Sequence, residues 1–139
     1  MKYDFKTFDG MMVWLEKEFN TRCDYTATIE GYDGECELRL MDCAYQAENH
    51  LTFHIPSEAM RCSVGVNDWV KISATWWEHG GERFWVEITH VIDDADGNPL
   101  FYGVARNNLY GAEWGSKVGP FQSRHICDIE FNTDEQKAA

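Results

Sequence analysis

Basic side chains are scarce in this chain: 12 Lys and Arg stand against 24 Asp and Glu, a formal net charge of −12 over 139 residues. A surface of that sign repels phosphate, which argues against direct DNA or RNA binding and against docking on an anionic membrane. Long apolar runs are missing as well. None approaches the roughly 20 residues that cross a bilayer, and the opening MKYDFKTFDG has no apolar core of the kind a signal peptide carries. The five cysteines, Cys23, Cys36, Cys43, Cys62 and Cys127, include no C-x-x-C pair with zinc-ligand spacing. They read as reduced thiols of a cytoplasmic protein, each behaving as a small buried hydrophobe. No G-x-S-x-G, H-E-x-x-H or phosphate-binding glycine loop occurs. The chain is therefore expected to be non-enzymatic, with no cofactor and no metal.

Aromatic residues are plentiful: eight Phe, six Tyr and six Trp. A disordered chain carries far fewer, so a packed core is expected. One segment has helical spacing. Asp9 can cap it, and Met11, Trp14, Leu15 and Phe19 fall near one face before Asn20 and Thr21 end it. Period two then takes over. Tyr25, Ala27 and Ile29 alternate with polar residues, Asp33-Gly34 supplies a turn, and Cys36, Leu38 and Leu40 return. Asp-Gly between alternating runs is a strong hairpin signal. Further strands are expected at Leu51–Ile55, closed by Pro56, and over residues 70–77, 84–91 and 100–105, with a last one at His125–Phe131. Residues 57–60 read as a helical turn or loop, and residues 107–119, holding Gly111, Gly115 and Gly119, as loop. The expected class is α+β: mostly antiparallel β, as a curved sheet or small barrel, with one short N-terminal amphipathic helix. Residues 1–65 would form a helix-plus-hairpin lobe and residues 66–132 an antiparallel β lobe, packed as one unit ahead of a fraying tail at 133–139.

From Trp69 onward a known pattern comes into view. It runs through Val70-Lys71-Ile72, then Gly81-Glu82-Arg83-Phe84-Trp85-Val86-Glu87-Ile88, then Gly103-Val104-Ala105-Arg106-Asn107-Asn108-Leu109. It finishes with Gly115-Ser116-Lys117-Val118-Gly119-Pro120-Phe121 and Arg124-His125-Ile126-Cys127-Asp128-Ile129. This stretch, about residues 69–131, resembles the YegJ-like family of small bacterial domains of unknown function, whose members recur in phage and plasmid proteins. Ser116 stands where that family usually has Asp. The resemblance implies a strand-and-turn fold and a mobile-element context, and it names no reaction. Residues 1–65 match nothing recognisable.

Several constellations invite a sharper reading. Asp93-Asp94-Ala95-Asp96-Gly97-Asn98 fails as a calcium loop, because aligning Gly97 puts Ile92 at the first ligand position; an acidic hairpin turn fits better. His50 and His54, on the expected strand, would lie about 13 Å apart, too far to share a metal. Arg83, Trp85, Arg106, Asn107, Asn108 and His125 form the most site-like polar set, able to bind an anion or a carboxyl group, or equally to cap turns. Cys127 beside His125 is no catalytic pair, since strand residues i and i+2 stand about 6–7 Å apart.

Charge is unevenly spread: residues 1–50 carry −6, residues 51–100 carry −5 and residues 101–139 only −1. Glu30, Asp33, Glu35, Glu37 and Asp42 gather around the first hairpin, and Glu78, Glu82, Asp93, Asp94 and Asp96 at the later turns. Solvated faces that keep the protein soluble are the plain explanation. The sharper one is an acidic inhibitor or adaptor that imitates nucleic-acid charge and occupies a basic surface on a protein partner, with exposed Trp or Tyr as anchors. With the mobile-element resemblance, its concrete form is a phage or plasmid product acting against a bacterial defence complex such as a CRISPR effector. The alternative is a small-molecule or peptide-binding module in which Trp76, Trp77, Trp85 and Trp114 line a pocket anchored by Arg106. A homodimer through an edge strand such as Leu51–Ile55 is compatible with either.

Overall fold

A computed structural model describes residues 7–19, 21–32, 34–76, 80–109 and 111–132. Helix α1 spans Phe8–Phe19. Its cap is Thr7, whose Oγ1 accepts the Gly10 N–H at 3.0 Å, so Asp9 lies inside the first turn and pairs with Arg39. The side chains of Leu15 and Phe19, together with Asn20, Asp33, Trp77, Glu78, and the 133–139 tail, lie outside the described residues.

Six antiparallel strands follow: β1 (Tyr25–Gly31), β2 (Gly34–Leu40), β3 (Trp69–Trp76), β4 (Gly80–Asp93), β5 (Pro99–Ala105) and β6 (Lys117–Phe121). Each pairs with the next in sequence, and β6 returns to β1, so the sheet closes into an up-and-down barrel. A seventh strand, β7 (Ile126–Glu130), shares one edge of β3 with β2. It pairs with Trp69–Ile72, and β2 takes Ala74–Trp76. The alternation read from the sequence is the alternation of the wall. Ala27, Ile29, Leu38 and Leu40 from the first hairpin meet Val70, Ile72, Phe84, Val86, Phe101 and Phe121 inside, all essentially buried. Burying such side chains stabilises a fold by roughly 1.5–3 kcal/mol each.

Three differences from the expected elements stand out. Leu51–Ile55 is a turn and irregular chain rather than a strand; it links α2 to α3 outside the sheet, and Leu51 is almost fully exposed, so the apolar alternation there is not one-sided burial. The β2–β3 connection instead holds two short helices, α2 (Cys43–Asn49) and α3 (Glu58–Ser63), so three α-helices are described rather than one. Each begins on a side-chain cap, Asp42 accepting from Tyr45 N–H and Ser57 from Met60 N–H. The 107–119 loop is shorter than expected, because Lys117–Phe121 is β6 and closes the barrel. His125 ends a 3-10 turn, Ser123–His125, ahead of β7.

Because the strands alternate in direction, the β1–β2 hairpin, the β3–β4 hairpin and the 106–116 loop gather at one rim. The α2–α3 connection, the β4–β5 turn and the 3-10 turn gather at the other. Gly103 marks the tightest point of the wall: a Cβ there would overlap the Glu87 carbonyl and Val86 Cγ1. Gly103→Ala is expected to destabilise the protein by at least about 1–3 kcal/mol through overpacking. Urea denaturation reads this as a lowered midpoint, and an unchanged midpoint would contradict the β4–β5 packing.

Candidate functional site: an aromatic rim and an adjoining groove

At the first rim, the β1–β2 hairpin locks onto the 106–116 loop. Tyr32 N–H donates to the Gly111 carbonyl at 3.0 Å. The backbones come so close at Gly31 that a Cβ would stand 2.9 Å from that same oxygen, which only glycine permits. The loop is held internally as well. Leu109 N–H donates to Ala112 O at 2.8 Å, and Asn108 Oδ1 accepts from Trp114 N–H at 3.2 Å. The result displays two rings: Tyr32 is 63% exposed and Trp114 55% exposed. They share a depression of about 340 Å³ with Glu30, Glu113, Gly115 and Ser116. Arg106 lies 5.6 Å from the Trp114 ring centre and is tied to Glu87 at 3.1 Å, which fixes the ring from behind.

Glu30 also lines a larger groove of about 640 Å³ on the outside of the barrel, crossing β4, β5, β6 and β1. Its walls carry Thr28, Glu35, His90, Ile92, Tyr102, Val104 and Lys117. Glu30 Oε1 accepts from Lys117 N–H at 3.0 Å. Glu30 and Glu35 face each other directly across the β1–β2 pair, where like charges are destabilising. Thr89 Oγ1 donates to Tyr102 O at 3.3 Å. That uses its one proton, so His90 Nδ1, 3.0 Å from the same hydroxyl, is the donor in that contact.

The acidic residues singled out from the sequence divide between places. Glu30 and Glu35 are exposed at the rim and groove, with Glu82 on β4 near the same end. Glu37 is paired with Arg39 at 2.8 Å. Asp42 is buried; it caps α2 and meets Arg124 at 2.7 Å, a structural role. Asp93, Asp94 and Asp96 stand at the opposite rim, where Asp94 accepts from Asp96 and Asn98 N–H and holds its own turn. Asp33 and Glu78 lie outside the described residues.

The polar set also separates. Asn107 Oδ1 accepts from Trp85 N–H at 2.7 Å and Asn108 holds the Trp114 loop, so both act as turn caps. Trp76 is buried inside the barrel, and Trp85 is half-buried under Lys71 at 5.2 Å. Among the described tryptophans named for a pocket, only Trp114 stands in the open. His125 lies at the other end from Arg106, fully buried, with its ring centre 4.5 Å from that of Tyr25. Its Nδ1 accepts from Gln122 N–H at 2.9 Å, which makes Nε2 the protonated nitrogen of a neutral ring. Nε2 finds no protein partner among the described residues. Burial, with the neighbouring Arg124 cation, pushes its pKa down to about 3.

This displacement sets a pH dependence. Between pH 6.5, the ordinary histidine value, and about 3, the unfolded chain binds a proton at His125 that the folded chain refuses. The contribution is complete above about pH 6.5 and is lost as pH falls toward 3, at up to about 1.4 kcal/mol per pH unit. His125→Asn retains an acceptor for Gln122 N–H and removes the titration. It is expected to flatten the fall of thermal stability from pH 6.5 to 4 relative to the unaltered chain, as calorimetry across that range will show. Equal slopes would overturn the assignment.

Compared with known proteins, the chain matches no family model, no curated protein and no solved structure. The functional reading therefore rests on the rim and the groove.

Proposed function

We propose that this chain is a non-enzymatic protein-binding module, an inhibitor or adaptor that occupies a basic surface on a protein partner. The observation that carries the reading is the pairing of Tyr32 and Trp114, both more than half exposed, in one depression edged by Glu30 and Glu113. Aromatic side chains in a preformed concavity are the usual energetic centre of an interface, and surrounding charge of one sign steers the encounter. Partner binding places Glu30 and Glu35 opposite cations and relieves their mutual repulsion. In its most concrete form, drawn from the YegJ-like resemblance, the protein is a phage or plasmid product that blocks a bacterial defence complex, imitating nucleic-acid charge.

A second reading has its own support. The 640 Å³ groove floored by Tyr102 and flanked by Ile92 and Val104 is large enough for a small molecule or an extended peptide.

Tagged protein incubated with bacterial lysate at about 0.1 M and about 0.5 M salt tests the first reading, since the higher salt shortens the Debye length to a few ångströms. A stoichiometric basic partner lost at the higher salt is expected. Trp114→Ala with Tyr32→Ala is expected to weaken its binding by about 30-fold or more. Glu30→Gln with Glu35→Gln is expected to slow association and blunt the salt dependence. Asp93→Asn with Asp96→Asn, at the other rim, should leave binding unchanged. Absence of a partner at both salts, or retention of binding in the rim variants, would refute the rim and favour the groove.

A further inference from the structure

The rim depression and the outer groove meet at one residue, since Glu30 lines both. From there the groove crosses five neighbouring strands in the order β2, β1, β6, β5, β4, with Glu35 on the first and Ile92 on the last. Four strand spacings of about 4.8 Å make that span roughly 19 Å, the reach of about six extended residues. Its two ends differ in chemistry. At the β1–β2 end, Glu30 and Glu35 stand opposite each other in the hairpin register, both exposed, with Glu113 across the depression. Toward β4 the surface is apolar. Tyr102 and Val104 alternate on β5 with the buried Gly103 and Ala105, which puts them on the outer face, and Ile92 is 50% exposed beyond them. Gly119 shapes the middle: a Cβ there would stand 3.0 Å from Tyr102 Cδ1, so the ring lies over ground that a side chain would otherwise fill. Lys117 and His90 are the other titratable side chains of the groove. Lys117 offsets one carboxylate, and a surplus of negative charge stays at the β1–β2 end.

We infer that this trough takes one extended peptide segment of the partner, with a lysine or arginine side chain between Glu30 and Glu35 and apolar side chains over Tyr102, Val104 and Ile92. The inference rests on the groove reading above and names its occupant. A compact ligand is held by a concavity that encloses most of its surface. A groove laid over the outside of five strands offers a single face, which suits an elongated chain. Each strand it crosses is already paired on both sides, so the segment is gripped through side chains and adds no strand to the sheet. A cation between the two carboxylates offsets their repulsion and gains charge-assisted hydrogen bonds. The direction of the segment follows: its basic residue lies toward the rim and its apolar residues toward β4.

A random octapeptide library displayed on phage and panned on the whole protein tests this without the natural partner. Enriched sequences are expected to share one lysine or arginine with aliphatic or aromatic residues on one side of it. The most enriched peptide is then labelled with fluorescein and titrated by fluorescence polarisation. Glu30→Gln with Glu35→Gln is expected to weaken its binding at least about tenfold, and Ile92→Ser at least about threefold. All three positions are exposed, so the variants keep the fold. Replacing the basic residue of the peptide by glutamine should weaken binding to the unaltered chain to the same extent, and add nothing in the Glu30→Gln, Glu35→Gln variant. Enriched peptides without a basic residue, or equal affinity for the unaltered chain and the variants, would overturn the inference. Phenylbutylamine separates that failure from failure of the groove itself. If it binds and Ile92→Ser weakens it while no peptide is enriched, the groove stands and its peptide occupant is refuted. If neither binds, both are refuted, and the rim is still decided by the lysate experiment.

Discussion

The seam between β1 and β6 is the narrowest joint in the molecule, and the barrel exists only because it holds. Two residue pairs span it, Thr28 with Gly119 and Ile29 with Val118. Side chains reinforce it, Thr28 Oγ1 reaching Gly119 O at 3.2 Å and Glu30 taking the Lys117 N–H. Closure removes the exposed edges that an open antiparallel sheet of this length would present. The price is a stretch of wall with glycines where neighbouring strands carry side chains, and the large outer groove lies along that same stretch. The joint that completes the fold therefore also shapes the 640 Å³ groove beside it.

The rim is built by the same closure. Bringing β6 beside β1 carries the 106–116 loop against the first hairpin, where Gly31 allows the two backbones to touch. Trp114 and Tyr32 then stand outward, each more than half exposed, with Glu30 and Glu113 beside them. A polar hairpin tip of one strand pair and a glycine-containing loop of another become one aromatic, acidic surface on a rigid support. Rigidity lowers the ordering cost of binding at such a surface.

The opposite end is organised around buried polar groups. Asp42 caps α2 and meets Arg124, His125 lies neutral beside Tyr25, and Cys43 donates to the His125 carbonyl. Asp42, Arg124 and the Cys43 thiol meet the requirement that buried polarity be paired, whereas His125 Nε2 and Gln46 Oε1 of α2 find no partner among the described residues. The two ends thus differ in kind. One displays aromatic rings and acidic side chains to the outside, and the other encloses charge, imidazole and thiols within a short helical cover.

The first hairpin, β3, β4 and β5 were legible because period-two alternation and an Asp-Gly turn report local backbone preference and one-sided burial directly. Strand β6 was not, since Gly119 and Pro120 mask its alternation, nor was α2, whose seven residues carry too little periodicity. Leu51–Ile55 looked like a strand, but it joins α2 to α3 and pairs with no strand among the described residues, and pairing is a property of the whole sheet. Acidity, the aromatic core and the antiparallel class followed from the sequence by itself, because composition and alternation act residue by residue. Which acids share a surface, which tryptophan is exposed, that His125 is far from Arg106 and that Cys43 meets the His125 carbonyl were decided only by the tertiary structure. Each depends on which strand ends the barrel brings together, and that arrangement is set by long-range pairing rather than by any local run of residues.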